Sequence, residues 1–124
     1  MASIDVLRND PAAKALGAGD VIFAAGDPGE FAFVVTEGEI ELSLHGDPLE
    51  TVGVGGIFGE MALIDRSARS ATARAKTDAR VVPIDQKRFL YLLQNTPFFA
   101  VEVMHVMADR LRRMDARVKN GGAS

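Results

Sequence analysis

The spacing of apolar and polar residues changes once along this chain, close to position 85. Before that point apolar residues alternate with polar ones in short runs; after it they recur every three or four positions. The first rhythm belongs to strands and the second to helices, so the pattern predicts an all-β body followed by a helical tail. Val21-Ile22-Phe23 is a short apolar run, and Gly26-Asp27-Pro28-Gly29 is strong turn chemistry. Residues 31–36 form the next expected strand. Over 39–44 the alternation is clean and puts Ile40, Leu42 and Leu44 on a buried face. His45-Gly46-Asp47-Pro48 turns the chain, and 50–54 leads into Gly55-Gly56. Further on, Ala71, Ala73 and Ala75 alternate with Thr72, Arg74 and Lys76. Residues 81–84 make a last strand, whose Pro83 belongs at an edge or a bulge. Ahead of this body, residues 4–7 and 12–16 predict short helical turns separated by Asn9-Asp10-Pro11.

In the tail, Asp85 is the expected N-cap of a helix over 85–95 carrying Phe89, Leu90, Leu92 and Leu93. Thr96-Pro97 then supplies a second cap, with proline at the first helical position, where its missing N–H costs nothing. The second helix is predicted over 97–119, where Asn120-Gly121-Gly122 should stop it. At 1.5 Å per residue it spans about 34 Å, more than a body this small needs for packing alone. Met104, Met107, Leu111, Met114 and Val118 follow it at 3-4-3-4 spacing, the pattern of a coiled-coil seam. Such a stripe suits a homodimer contact or packing on the chain's own strands, and methionine suits a surface that changes partner.

Length and charge narrow the function. A chain of 124 residues, 48% hydrophobic and 25% charged, is one globular domain, taken here as 1–124. A formal charge of −3 argues against a general affinity for nucleic acid or anionic membrane, so any anion bound here must be held by a local device. The absence of cysteine excludes disulfides, thiolate metal sites and cysteine nucleophiles. His45 and His105 have no carboxylate or histidine at metal spacing, and no Ser/His/Asp arrangement is visible. The expectation is no metal, no catalytic residue and no enzyme, which also excludes a metal-dependent cupin and a metal-dependent phosphodiesterase. The N-terminus lacks the basic and apolar regions of a secretory signal and no apolar run is long enough to span a membrane, so a cytoplasmic protein is expected.

The informative stretch runs from Phe58 to Thr72. A buried phosphodiester anion needs oriented backbone N–H groups, a close backbone approach and a positive charge with directional donors. Gly59 permits the approach, Met61 to Ile64 suit one helical turn, and Arg69 can supply a two-pronged hydrogen bond from across the same small pocket. Glu60 would repel a phosphate, so its place is to accept a hydrogen bond from a sugar hydroxyl. Together the pair specifies a ribose phosphate with a free 2′-OH. Without that context Arg69 would read as a solvated surface arginine, which is how Arg66 and Arg74 read.

This string resembles the phosphate-binding cassette of cyclic nucleotide-binding domains: Phe58-Gly59-Glu60, the apolar Met61, Ala62-Leu63, a variable stretch, then Arg69-Ser70-Ala71-Thr72. The proline usual before the arginine is Ala68. Gly19 to Phe23, Gly26-Asp27, Gly38 and Arg74-Ala75-Lys76-Thr77 extend the likeness to the catabolite activator protein group, over roughly 15–118. The resemblance implies a mainly β fold with helices: an eight-stranded antiparallel β-roll (a double-stranded β-helix, or jelly roll) over about 17–84. Short N-terminal helices would precede it. A hinge helix over about 85–95 and a C-terminal lid helix over about 97–119 would follow. It implies that Glu60 accepts from the ribose 2′-OH and that Arg69 pairs with the phosphate. The amides of Ala62 and of Ser70 or Ala71 would donate to that phosphate, with Gly59 close by. Val54, Ile57 and Met61 would line the base, and Arg110 and Met114 would cap it, as in channel-type members.

The resemblance therefore implies a regulatory sensor that binds cAMP, or cGMP, and closes its last helix over it. Ser70 leaves the base open, since a hydroxyl there can contact guanine yet also occurs in cAMP binders. Three alternatives stay beside it: a ligand-free dimerisation or interaction module on the same fold, a regulatory fragment of a larger channel, kinase or transcription regulator, and a β-roll that has lost its ligand. The expected partners are the nucleotide and either a second copy through the C-terminal helix or an effector protein. No direct DNA contact and no membrane contact are expected, because no helix-turn-helix follows the long helix before Ser124.

Overall fold

In a computed structural model of the chain, the alternating stretches pair as strands wherever an apolar face can be buried. The structure describes residues 7, 9–65 and 68–122, with side chains through Arg113 apart from that of Asp65. Within these residues lie eight strands: β1 (Lys14–Leu16), β2 (Val21–Phe23), β3 (Ala32–Glu37), β4 (Ile40–Leu44), β5 (Asp47–Val52), β6 (Ile57–Phe58), β7 (Thr72–Ala75) and β8 (Ala79–Ile84). They form two antiparallel four-stranded sheets, ordered β1-β8-β3-β6 and β2-β7-β4-β5. Three helices complete the described chain: α1 (Glu60–Asp65), α2 (Gln86–Asn95) and α3 (Pro97–Gly122). This is the all-β body with a helical tail that the pattern predicts and the mainly β, eight-stranded antiparallel roll that the resemblance implies.

Strand β3 explains how the layers stack. Its alternate residues point to opposite faces. Phe33 and Val35 join Ile40, Leu42, Phe58 and Ala73 in a core between the sheets. Ala32 and Val34 join Ile57, Leu63, Phe89, Leu92, Phe99 and Val103 in a second core beneath the helices. The β4–β5 hairpin turns on His45 and Gly46, both at positive φ (52° and 83°), as a two-residue primed turn requires. The turn is therefore shorter than expected, and Asp47 and Pro48 belong to β5. Pro48 is tolerated because β5 is an edge strand whose register shifts beside Ser43. Pro83 lies in β8, a central strand, but beyond the last pair with β1, where among the described residues no strand pairs on that side to need its missing N–H.

Three expectations about the ends change. Residues 12–16 are not helical: Lys14, Ala15 and Leu16 pair with Val81, Arg80 and Ala79 as strand β1, so the body begins before position 17. The turn expected over 4–7 lies outside the described residues except for Leu7, which is buried in the helix-side core. Helix α3 continues through Asn120 and Gly121 to Gly122 rather than stopping at 119. Asp85 caps α2 as expected, its Oδ1 accepting from Arg88 N at 2.8 Å. Thr96 O accepts from Phe99 N and Ala100 N as α3 begins.

The methionine stripe on α3 divides between two faces. Val103 is buried and Met107 packs on the chain's own core, whereas Phe98, Val101, Met104 and Leu111 are 85%, 48%, 60% and 50% exposed. The side chains of Met114 and Val118 lie outside the described residues.

Candidate functional site

The site forms where strand β6 ends and the chain must reverse. Gly59 sits at φ 78°, a left-handed conformation that a side chain would strain, and a Cβ there would lie 2.7 Å from Arg69 Nη1. Helix α1 then starts at Glu60 and carries Met61, Ala62 and Leu63, as the apolar run predicted. Leu63 anchors it in the helix-side core, which fixes the opposite face toward the second sheet.

Arg69 is 7% exposed, although it lies outside regular structure. Its backbone is pinned on both sides, its N–H donating to Asp27 O and its carbonyl accepting from Gly26 N, each at 2.8 Å. Its guanidinium donates from Nη1 to Gly59 O (3.0 Å) and from Nη2 to Phe31 O (2.7 Å). Its Cζ lies 4.0 Å from the centroid of the Phe23 ring, a cation–π contact, and Phe23 packs in turn on Phe33 and Phe58. Burial pulls the Arg69 pKa below its ordinary value, while the charges of Asp27 and Glu60 act the other way. Nε has no hydrogen-bond partner among the described residues.

Glu60 is 1% exposed, with Oε1 accepting from Arg110 Nη1 at 2.5 Å and Oε2 buried without a partner among the described residues. Arg110, from α3, also donates from Nε to Glu50 Oε1 (2.9 Å), and from Nη2 to Glu50 Oε2 (3.1 Å) and Ile57 O (2.7 Å). Burial opposes the charge of Arg110, but its hydrogen bond to Glu50 and the charges of Glu60 and Glu50 outweigh burial and hold its pKa above the ordinary value.

Gly59, Glu60, Met61, Ala62, Arg69, Ser70 and Ala71 line one cavity, with Phe23, Leu42, Ala68 and Arg110. It holds about 50 Å³. A second space of about 60 Å³ shares Leu42, Met61, Ser70, Ala71 and Arg110 with it and adds Leu49, Glu50 and Arg113. Two residues expected beside a base are placed elsewhere. Ile57 is 2% exposed in the helix-side core, because a two-residue strand sends Ile57 and Phe58 to opposite faces. Val54 is 56% exposed in the loop before Gly55 and lines neither space. Arg110 is at the site, while the Met114 side chain lies outside the described residues.

Sequence reasoning missed Phe23, Gly29, Leu42, Leu49 and Glu50. Gly29, read only as part of a turn, approaches so closely that a Cβ would lie 2.4 Å from Ala62 Cβ and 2.9 Å from Arg69 Cζ. Leu42 was placed on a buried face, which is the signal that could have brought it to the cavity wall. Among the described residues no group of three or more His, Cys, Asp or Glu side chains could hold a metal ion, and no helix is long and apolar enough to cross a membrane.

Comparison with known proteins accords with this geometry. The model of the family described as "Cyclic nucleotide-binding domain" matches residues 13–96. The chain is 34% identical over 102 residues to the cyclic AMP receptor protein of Thermus thermophilus, covering 78% of this chain and 47% of that protein. It is 37% identical over 78 residues to the cAMP-dependent protein kinase regulatory subunit of Emericella nidulans, covering 61% of this chain and 19% of that protein. The crystal structure of the Thermus thermophilus catabolite activator protein superposes with a TM-score of 0.76 at 28% identity, covering 98% of this chain and 59% of that one. The chain thus spans about half the length of the first relative and about a fifth of the second.

Proposed function

Because the chain belongs to the cyclic nucleotide-binding domain family, we propose that it binds a 3′,5′-cyclic nucleotide, cAMP in preference to cGMP, leaves it chemically unchanged, and signals through α3. One observation carries the reading. Arg69 and Glu60, both buried, line one cavity, and each keeps a polar atom without a partner among the described residues, Arg69 Nε and Glu60 Oε2. Buried groups of this kind are ordinarily satisfied, so a ligand that takes a hydrogen bond at one and gives one at the other removes two penalties together. A cyclic phosphate accepts from Arg69 while its ribose hydroxyl donates to Glu60.

Among the described residues no carboxylate lies within 4.0 Å of Arg69, whose charge is held by two carbonyls and a ring. It is therefore free to neutralise an anion. Gly59 keeps the backbone close, and the amides of Ala62 and of Ser70 or Ala71 donate to the phosphate. Leu42, Leu49, Met61 and Ala71 supply apolar cover for the base. The names of two relatives refer to cyclic AMP, which supports adenine over guanine despite the Ser70 hydroxyl.

The signal follows from Arg110. It joins α3 to Glu60, so a ligand that alters the bonding of Glu60 alters where α3 prefers to sit. A nucleotide shifts that equilibrium only by its differential affinity for the two positions. The exposed Phe98, Val101, Met104 and Leu111 favour a protein partner on α3, either a second copy or an effector. A thermal-shift series with cAMP, cGMP and 5′-AMP tests the function. cAMP should raise the melting temperature by several degrees, cGMP by less, and 5′-AMP not at all. No rise with either cyclic nucleotide refutes the reading and leaves an interaction module in its place.

A further inference from the structure

A buried carboxylate can receive a sugar hydroxyl precisely placed only where its own plane is held by a fixed neighbour. For Glu60 that neighbour is Arg110, the cation within ion-pair distance of it among the described residues. Arg110 is itself a long side chain reaching in from α3, so its orientation has to be set by something else. Glu50, on edge strand β5, supplies the grip. Its Oε1 accepts from Arg110 Nε at 2.9 Å and its Oε2 from Nη2 at 3.1 Å. Two parallel bonds between planar groups fix a guanidinium in its plane as well as in place. With the Nε and Nη2 edge taken, and Nη2 also donating to Ile57 O, the remaining nitrogen Nη1 is the one that meets Glu60 Oε1. The pair is sheltered, the Arg110 and Glu50 side chains being 11% and 20% exposed, so solvent screens it only partly. Arg113 Nη1 also lies 3.3 Å from Glu50 Oε1.

We propose that Glu50 is a positioning residue for ribose recognition: by holding Arg110 in a fork it aims Nη1 at Glu60 Oε1, and so fixes the Glu60 carboxylate with Oε2 left to accept from a 2′-hydroxyl. The proposal rests on the cyclic nucleotide reading of the site and deepens it, from one carboxylate to a chain of three side chains on β5, α3 and α1. A lysine at 110 could not do the same work, because an ammonium is a point charge with no second edge to be held by. Glu50 also borders the space assigned to the base, so a direct contact with the base is the competing role. Chemistry separates the two. A base contact acts on every adenine nucleotide, whereas an effect routed through Glu60 acts only on one that carries the 2′-hydroxyl.

Calorimetric titration of the full chain with cAMP and with 2′-deoxy-cAMP reads that difference. Wild-type protein should bind cAMP the more tightly. Glu50→Gln keeps the size of the side chain but loses its charge and one acceptor. It should weaken cAMP binding roughly tenfold, within the range for residues coupled in one ion-pair network, and 2′-deoxy-cAMP by less than about twofold. Glu50→Thr, suited to an edge strand, is the second variant and should act alike. In an Arg110→Gln background, Glu50→Gln should change neither affinity further, since Arg110 is the route. An equal loss for both nucleotides in both Glu50 variants overturns the proposal and makes Glu50 a base contact or a support of the fold, which the melting temperatures then tell apart. Unchanged cAMP affinity overturns it too, as does a loss that persists undiminished without Arg110. Each of these results leaves the site reading standing if wild-type protein prefers cAMP. If wild-type protein binds neither nucleotide, or both equally, the assignment of Glu60 to the ribose fails and the proposal falls with it.

Discussion

Replacing Arg69 by alanine separates what its guanidinium does for the fold from what it does for a ligand. In the fold it serves two carbonyls, Gly59 O and Phe31 O, and covers the Phe23 ring. A buried acceptor left without a donor costs about 1–3 kcal/mol. Water can reach part of the vacated space through the adjoining cavity, so the loss should fall near the low end for each carbonyl, about 2–3 kcal/mol together. For the ligand the loss is of another kind, since a phosphate anion taken into the site would have no counter-charge. Removing one partner of a buried ion pair costs about 3–5 kcal/mol. The cavity is not fully closed to solvent, so about 3 kcal/mol is a fair expectation, or roughly a hundredfold in Kd. Arg69→Lys tells charge from geometry. The ammonium keeps the charge but cannot bridge two carbonyls and a phosphate at once, so it should recover about tenfold of the lost affinity and little of the lost stability. Calorimetric titration with cAMP reads the first quantity and thermal unfolding the second. If Arg69→Ala melts well below wild type yet binds cAMP within about twofold, the guanidinium is structural and the phosphate partner has been misassigned.

Gly29→Ala introduces a methyl 2.4 Å from Ala62 Cβ and 2.9 Å from Arg69 Cζ, so it should destabilise by about 1–3 kcal/mol and weaken cAMP binding by displacing Arg69. Gly53→Ala, with nothing within 4 Å of the new Cβ, is the control and should melt close to wild type. Asp10 accepts from Ala12 N at 2.8 Å, which holds its pKa below the ordinary value; burial opposes this, and the hydrogen bond and charge of Arg88 reinforce it. A depressed carboxylate pKa stabilises the fold above the unfolded pKa and stops doing so as pH falls through the folded one. Asp10→Asn should therefore melt lower than wild type at pH 7, and the gap should close as pH falls below about 4. A gap that persists unchanged in acid would show that the charge of Asp10 is irrelevant.

Much of this molecule can be read from its residues, and the limits have physical reasons. Strand alternation located β4 and β7, because their apolar faces repeat with a period of two and meet a core. The short segment 14–16 was misread as helical because Lys, Ala and Leu favour helices, and only the pairing with β8 makes it a strand. The placement of Ile57 failed for a related reason: two adjacent apolar residues carry no sign of which face each will take. The stripe on α3 had the right spacing, but spacing does not say which part of a wide apolar surface meets the chain's own core. At the site, Glu60, Arg69 and the cassette around them were legible because they form one contiguous string. Gly29 and Glu50 act from 40 and 60 residues away from their respective partners Arg69 and Arg110, and only the folded chain brings them together.

On the proposed reading, Glu60 is the residue at which ligand chemistry and helix docking meet. Its Oε1 accepts from Arg110 of α3, while its Oε2 is buried without a partner among the described residues. Arg69 has no such division, since its guanidinium partners among the described residues, Gly59 O and Phe31 O, lie in the roll and not on α3. Phosphate binding at Arg69 can therefore supply affinity without transmitting anything to the tail. On that reading the ribose does the transmitting, because a hydroxyl at Oε2 would draw on the same carboxylate that Arg110 uses. The strength of that coupling is bounded by the difference the ligand makes to one shared carboxylate, which puts it in the ordinary range of about 1–3 kcal/mol. A link of that size shifts the position of a helix without needing to unfold or rebuild any part of the roll beneath it.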